Sequence, residues 1–178
     1  GDENETVLAC KRGQVQGVGV STGAMASLVP ELNALELPYL FNSAKEADRV
    51  LDQPEVMAMV EKLLAERGFT LLFWSENGFR SFGTKEGFIK SPADLSGKKM
   101  RAQESPAHLA MYRKFGASPV PVAVTEVLTS LQTGIVDGFD NTPLFTQAAG
   151  LYEPIQYYSL SRHIYQPAAV VWSKAFYD

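Results

Sequence analysis

The chain has 178 residues and a mass of 19.5 kDa, a length that suits about one domain or two small ones. Its composition, with 46% hydrophobic and 20% charged residues, is ordinary for a globular protein and excludes collagen-like and low-complexity classes. A net charge of −4 argues against nucleic-acid binding, which favours a basic surface, and no run of about 18 apolar residues is present that could span a membrane.

The elements predicted from the sequence alternate between helices and short apolar strands, which is typical of an α/β fold with mostly parallel sheets. In chain order, the predicted helices cover 3–12, 43–51, 54–67, 105–116, 125–134 and 141–149. The predicted strands cover 15–20, 70–74, 98–101, 119–122, 135–139, 156–160 and 168–172, and residues 21–23 are expected to form a loop.

Local signals fix several of these boundaries. Ser43 and Glu46 form a capping box, and the helix that begins at Pro54 is expected to bury one face, formed by Val56, Met59, Val60, Leu63 and Leu64. Thr125 is expected to cap the helix that Gly134 ends. Asn77-Gly78 lies between two β-like runs and is the usual signal for a tight hairpin.

Metal and cofactor signatures are weak or missing. Cys10 is the single cysteine, which excludes an intramolecular disulfide and a multi-cysteine metal site. His108 and His163 lie far apart in the chain, so no closely spaced metal-ligand motif exists. Gly17-Val18-Gly19 begins like a dinucleotide loop but has Thr22 in place of the last glycine. We therefore expect no cofactor and no metal.

One short catalytic motif is present. Gly19–Gly23 reads Gly-x-Ser-x-Gly around Ser21, after a predicted strand, as in the nucleophile elbow of hydrolases. Asp137 or Asp140, followed by His163, would complete the chain order of a Ser–Asp–His triad. The motif is also common in glycine-rich loops, where such a serine binds a ligand or caps a helix, and this interpretation is preferred. A serine hydrolase that uses Ser21 is kept as the alternative hypothesis.

Polar side chains follow two predicted strands at their carboxyl ends. Arg101 ends one strand, and Asp140 with Asn141 follows another, while Arg80 comes just after Asn77-Gly78. In open α/β sheets, ligands bind outside the carboxyl ends of strands. An arginine at this edge presents a planar fork that matches a carboxylate with two parallel hydrogen bonds.

A longer set of segments resembles one family. They are Val29–Glu31, Leu37–Phe41, Asn77–Arg80, Ser91–Ser105, Phe115–Pro121, Glu126-Val127 and Leu131–Asn141. The resemblance runs from about Gly13 to the end of the chain, and it is to the DctP family. These are the extracytoplasmic solute-binding proteins of tripartite ATP-independent periplasmic (TRAP) transporters.

The resemblance implies a site for an organic acid. It implies an α/β periplasmic binding protein of the class II-like type, with two lobes, hinge strands and a ligand cleft between the lobes. Arg101 would form the salt bridge to the ligand carboxylate, and Arg80 and Asn141 would complete the polar side of the cleft. Residues expected to line the cleft with them are Gln103, Glu76, Trp74 and Asp140.

The resemblance also implies the domain organisation. Lobe I would comprise residues 1–78 with 167–178 returning to it, and lobe II would comprise residues 79–166. Asn77-Gly78 is then a strand crossing between lobes rather than a hairpin. Relatives are longer at both ends, so lobe I is expected to be incomplete and the chain to be a fragment. Val124 stands where some relatives carry a large aromatic residue.

The function implied is that of a receptor and not of an enzyme. The protein would capture a small carboxylate-bearing organic acid in the periplasm and deliver it to the membrane permease subunits of a TRAP transporter, without itself being membrane-embedded or binding nucleic acid. A sensor domain that uses the same binding lobes is a third possibility. The identity of the acid is not implied.

Overall fold

The computed structural model describes residues 2–178, which form α-helices and a mixed β-sheet. The described residues divide into two compact units. Unit 1 contains the chain up to Gly78 together with Tyr165–Asp178, and unit 2 is Phe79–Ile164. In the described part of the chain, none of the helices has the length and apolar character needed to cross a membrane.

Unit 1 holds most of the helices. Its helices are α1 (Glu3–Lys11), α2 (Thr22–Met25), α3 (Ala44–Leu51), α4 (Pro54–Glu66), α8 (Lys174–Tyr177) and a 3-10 helix over Pro30–Glu36. Strand β1 (Gly17–Ser21) pairs antiparallel with the end of strand β6 (Tyr157–Ser173), with Gly17 opposite Trp172. The core of this unit includes Val7, Met25, Leu64 and Phe69, all completely buried.

The predicted caps explain where the unit 1 helices begin and end. The Ser43 hydroxyl accepts a hydrogen bond from the Glu46 main-chain N at 3.1 Å, so the cap at Ser43 is confirmed. The other half of the predicted capping box differs, because the Glu46 carboxylate accepts from the main-chain N of Asn42 at 2.8 Å instead of from that of Ser43. Helix α4 begins at Pro54, and Gly68, with φ at 90°, follows its end. Met59 was wrongly assigned to the buried face of α4, because its side chain is 56% exposed.

Unit 2 holds the parallel part of the sheet. Its helices are α5 (Pro106–Lys114), α6 (Val127–Gln132) and α7 (Pro143–Ala148), with 3-10 helices over Pro92–Leu95 and Val124–Glu126. Strand β3 (Lys99–Ala102) pairs parallel with β4 (Ser118–Pro121) and with β5 (Gly138–Asn141), and the end of β2 (Phe69–Thr84) pairs antiparallel with β5. The expectation of mostly parallel pairing was therefore wrong, since β1–β6 and β2–β5 are antiparallel and only the two ladders of β3 are parallel among these four.

Two long strands run through the boundary between the units. Strand β2 continues through Asn77-Gly78, so the hairpin interpretation was wrong and the continuous strand is what forms. Strand β6 joins the two predicted strands 156–160 and 168–172 into one. The sequence pattern breaks there because His163 and Gln166 are polar residues that nevertheless are buried.

The start of α6 also differs from its prediction. Thr125 lies inside the 3-10 turn Val124–Glu126, and Glu126 is the residue that precedes α6, without a side-chain capping bond. A 3-10 turn thus precedes α6 where a side-chain cap was expected, an arrangement that is frequent at helix N-termini.

Candidate functional site

Arg80 and Asp140 form a buried ion pair within unit 2. Arg80 Nε is 2.6 Å from Asp140 Oδ2, and Arg80 Nη2 donates to the main-chain oxygen of Asp140, also at 2.6 Å. Both residues are at most 1% exposed. The antiparallel register of β2 and β5, which sets Ser81 opposite Asn141, brings the two side chains together.

Three ring side chains surround the same carboxylate. The Tyr112 hydroxyl donates to Asp140 Oδ1 at 2.7 Å, and His163 Nε2 lies 3.4 Å from Oδ2, with His108 Nδ1 at 4.0 Å. Burial alone would raise the pKa of Asp140, but the Arg80 charge and the His163 hydrogen bond outweigh it and hold that pKa well below its usual range. Asp140 is therefore an anion at neutral pH.

His163 is held neutral beside this anion. Burial lowers the pKa of His163 despite the nearby Asp140, and its ring stacks on Phe82 with centroids 4.0 Å apart. Because Nε2 faces the carboxylate, we assign the proton to Nε2. Nδ1 then accepts the hydrogen bond of the Ser161 hydroxyl at 2.8 Å.

Arg101 lies at the carboxyl edge of the parallel strands. It is 3% exposed, and its Nε donates to the main-chain oxygen of Val122 at 2.9 Å, just after β4 ends. Since β3, β4 and β5 are parallel, their carboxyl ends meet at one edge of the sheet. The Val122 bond therefore fixes the orientation of a guanidinium at the edge where α/β sheets bind ligands.

The two predicted amides of unit 2 lie near this edge. Gln103 Oε1 accepts from Arg80 Nη1 at 3.4 Å, and Gln103 is 7% exposed. The Asn141 side-chain Oδ1 accepts from the Thr142 main-chain N at 2.8 Å, and its main-chain oxygen accepts from the Tyr158 hydroxyl at 2.6 Å. Unit 2 thus contains five of the seven predicted site residues, and a hydrogen-bonded network joins Arg80, Asp140 and Gln103.

The other two predicted residues belong to unit 1. Trp74 packs against the core of that unit, and its Nε1 donates to the Met57 sulfur at 3.1 Å. Glu76 is exposed and accepts a hydrogen bond from the Tyr165 hydroxyl at 2.8 Å.

Sequence reasoning assigned none of the three ring side chains to the binding site, and it named His163 with Asp140 only within the hydrolase hypothesis. His108 and Tyr112 lie four residues apart on one face of α5, and both are completely buried. That spacing is the signal that could have found them. His163 had no such signal, because its place beside Asp140 depends on the path of β6. Among the described residues, no cluster of three or more His, Cys, Asp or Glu side chains could hold a metal ion.

Ser21 has a capping role. Its hydroxyl accepts from the main-chain N of Ala24 at 3.2 Å, and it donates to Glu3 Oε2 at 3.0 Å. Residues 22–25 therefore form a helix, whereas residues 21–23 were expected to form a loop. The partner of the hydroxyl is a carboxylate rather than an imidazole, so the contacts of Ser21 do not support the nucleophile of a hydrolase.

Comparison with known proteins gives consistent results. A "Solute-binding protein" of Verminephrobacter eiseniae is 37% identical over 179 residues, which covers 100% of this chain and 53% of that protein. A TRAP periplasmic solute-binding protein from Bordetella bronchispeptica, solved with density assigned as pantoate, matches with a TM-score of 0.94 at 36% identity, over 99% of this chain and 58% of its own.

A further structure is the sugar acid binding protein DctPAm of Advenella mimigardefordensis in complex with galactonate. It matches with a TM-score of 0.95 at 34% identity, over 100% of this chain and 57% of its own. The chain thus spans a little over half the length of these relatives, which are receptors for solutes rather than enzymes. The family model described as "Bacterial extracellular solute-binding protein, family 7" matches residues 1–178, and the chain therefore belongs to the DctP family.

Proposed function

We propose that the protein is the receptor of a TRAP transporter, which captures a small organic acid in the periplasm and delivers it to the membrane permease. The single observation that carries this proposal is the buried Arg101, fixed by its bond to Val122 at the carboxyl edge of β3. A guanidinium so oriented binds a carboxylate bidentately and needs no reorganisation when the ligand arrives.

The two units differ in charge in a way that supports this role for unit 2. Unit 1 carries thirteen acidic and seven basic side chains, a formal charge of −6, whereas unit 2 carries seven acidic and nine basic side chains, a formal charge of +2. An anion approaching the protein is attracted to unit 2 in spite of the net charge of the whole chain. We propose that unit 2 is the predicted lobe II and unit 1 the predicted lobe I.

We assign different roles to the two arginines. Arg101 is the carboxylate clamp, and Arg80 is a positioning residue whose guanidinium Asp140 holds in place. Arg80 in turn donates to Gln103, the residue two positions after Arg101. Direct contact of Arg80 with the ligand stays a prediction from the family resemblance, as do the contacts assigned to Glu76 and Trp74.

The ligand class follows from the relatives and from the amides. One relative holds galactonate and another has density assigned as pantoate, and both molecules are hydroxylated monocarboxylates. Gln103 and Asn141 offer amide groups, which donate to and accept from hydroxyls. We propose a hydroxylated organic acid as the ligand of this protein.

The test is a thermal-shift and calorimetric screen of pantoate, galactonate and other hydroxy acids against the full-length protein. We expect at least one acid to stabilise the wild type, and Arg101→Ala to abolish that shift. Arg113→Ala, which removes an exposed arginine of α5, is the matched control and should bind as the wild type does. Undiminished binding by Arg101→Ala would refute the clamp, and the absence of binding by any acid would refute the function.

Delivery to a permease needs its own test. Cells that carry the permease genes and the wild-type receptor should accumulate the bound acid, whereas cells with the Arg101→Ala receptor should not. Accumulation that does not depend on the receptor would contradict the proposed partnership.

A further inference from the structure

Most basic side chains of unit 2 lie at the edge of the sheet opposite to Arg101. Strands β3 and β5 are parallel, so Lys99 and Gly138, the residues at which they begin, mark the amino edge of the sheet. Strand β2 ends at the same edge, because Thr84 is the register partner of Gly138. Five basic residues lie at this edge, and we call them the basic face: Lys85, Lys98, Lys99, Arg113 and Lys114.

Hydrogen bonds bring the lysines at the strand ends together. The main-chain N of Lys85 donates to the main-chain oxygen of Asp137 at 3.0 Å, and the main-chain N of Asp137 donates to that of Lys99 at 2.7 Å. Lys98 Nζ donates to the main-chain oxygen of Glu86 at 3.2 Å, which places the turn after β2 beside the start of β3. The three lysines therefore form one cluster.

Helix α5 adds two basic residues to this cluster. Arg113 and Lys114 are in its last turn, and both are exposed. The main-chain N of Gly97 donates to the main-chain oxygen of Gly116 at 3.2 Å, so the end of the helix lies next to Lys98.

The basic face keeps a positive charge. Two acidic residues, Glu86 and Asp137, lie among its five members, so the formal charge of this edge is +3. The Asp137 carboxylate accepts from the main-chain N of Lys99 at 2.7 Å, and the neighbouring Lys90 and Asp94 add no net charge. Within the described residues, none of the five basic side chains forms a salt bridge. The face therefore offers its charge to an anionic partner.

Two large apolar side chains are exposed at the same edge. Phe88 lies in the turn after β2, is 51% exposed, and contacts the Tyr157 ring edge-on with centroids 5.0 Å apart. Ile135 is 53% exposed and lies two residues before Asp137. Exposed apolar groups among cations are typical of surfaces that bind the membrane interface. Lysine, by contrast, is depleted where two proteins meet.

We propose that the basic face binds a membrane surface that contains anionic phospholipids, with the ammonium groups at the phosphates and Phe88 and Ile135 between the headgroups. Lysine is a point charge on a flexible stem, which suits phosphates without a fixed geometry. Unit 1, with a formal charge of −6, is repelled by such a surface, so unit 2 makes the contact. The inference rests on the proposed function for its purpose, since a receptor on the membrane is close to its permease.

The experiment is co-sedimentation of the full-length protein with vesicles of phosphatidylcholine alone, or of phosphatidylcholine with an equal amount of phosphatidylglycerol. We expect binding to the anionic vesicles that is lost as salt is raised, and little binding to phosphatidylcholine. Inorganic phosphate should compete no better than chloride at the same ionic strength. Stronger competition by phosphate would identify a phosphate pocket and overturn the proposal.

The double variant Lys99→Gln with Lys114→Gln removes two exposed charges of the basic face. Its affinity for the anionic vesicles should fall roughly twentyfold, since each lysine near such a surface contributes about fivefold. The matched control is Lys45→Gln with Lys62→Gln, at exposed positions of α3 and α4. It changes the net charge equally and should bind as the wild type does.

Phe88→Ser should weaken vesicle binding roughly three- to tenfold without changing its salt dependence. Arg101→Ala should bind vesicles as the wild type does, and the Lys99 and Lys114 double variant should keep its affinity for the organic acid, so this proposal and the proposed function fail separately. Absence of vesicle binding, equal binding to both kinds of vesicle, or equal losses in the two lysine pairs would overturn the proposal.

Discussion

The Tyr112 hydroxyl donates a 2.7 Å hydrogen bond to Asp140 Oδ1, on the oxygen that Arg80 Nε does not contact. Burial and the nearby carboxylate raise the pKa of the Tyr112 phenol well above its usual value, so the phenol keeps its proton. Each oxygen of the buried Asp140 carboxylate thus accepts a hydrogen bond from its own donor. Such bonds are needed because a buried charged group has no water to solvate it.

Tyr112→Phe should destabilise the protein by about 1–3 kcal/mol, because Asp140 Oδ1 loses its donor while it stays buried. The measurement is the free energy of unfolding in urea. Tyr152→Phe, which removes the hydroxyl of a tyrosine that is 55% exposed, is the control and should change stability little. Equal effects of the two variants would contradict the role given to Tyr112.

Asp140→Asn should destabilise the protein by about 3–5 kcal/mol at neutral pH, since it leaves the Arg80 charge buried without its partner. The control is Asp52→Asn, at an exposed aspartate after α3.

The pKa of Asp140 is lowered on folding, so its contribution to stability is present above the ordinary aspartate pKa and is lost as pH falls below it. The free energy of unfolding of the wild type should therefore decrease as the pH falls from about 5. The free energy of unfolding of Asp140→Asn should decrease less over the same range.

His163 should contribute a second pH dependence, nearer to neutrality. Burial lowers its pKa from 6.5 on folding, so below pH 6.5 the unfolded chain binds a proton that the folded protein does not. Stability should fall as pH drops from 6.5 towards the folded pKa. Urea unfolding over this range should show a flatter slope for His163→Gln than for the wild type. If the NMR signal of His163 in the wild type titrates at or above pH 6.5, this account is refuted.

Gly138→Ala should destabilise the protein by about 1–3 kcal/mol through overpacking. A Cβ atom at Gly138 would come within 2.5 Å of the Gly83 main-chain oxygen and 3.0 Å of Met100 Cε. Gly19→Ala is the control within another strand, because its Cβ atom would meet Val170 Cγ2 at an ordinary 3.6 Å. The measurement is thermal unfolding of both variants. A Gly138→Ala protein that is as stable as Gly19→Ala would contradict the predicted overpacking.

The sequence predicted elements better where the cause is local than where it is distant. The cap at Ser43 and the glycine after α4 act within a few residues, and those boundaries are right. The single strand β6 was missed because His163 and Gln166 interrupt the apolar pattern, and their burial is possible only through partners elsewhere in the chain, such as Asp140 and Glu36.

The site was predicted in its residues but not in its connections. Strand-end position and family resemblance both indicate Arg101 and Asn141. That Arg80 pairs with Asp140, sixty residues later, depends on the register of β2 on β5, which no local pattern encodes. Tyr112 entered the network for the same reason, although its spacing from His108 was visible in the sequence.

The division of the chain into units has a consequence for its synthesis. Unit 2 is one continuous segment, Phe79–Ile164, whereas unit 1 contains both the chain up to Gly78 and Tyr165–Asp178. The pairing of β1 with β6, which sets Gly17 opposite Trp172, therefore cannot form until almost all of the described chain has left the ribosome. Since domains fold as units during synthesis, we expect unit 2 to acquire its structure first, and the N-terminal segment of unit 1 to wait at least for the strand residues Ala168–Trp172.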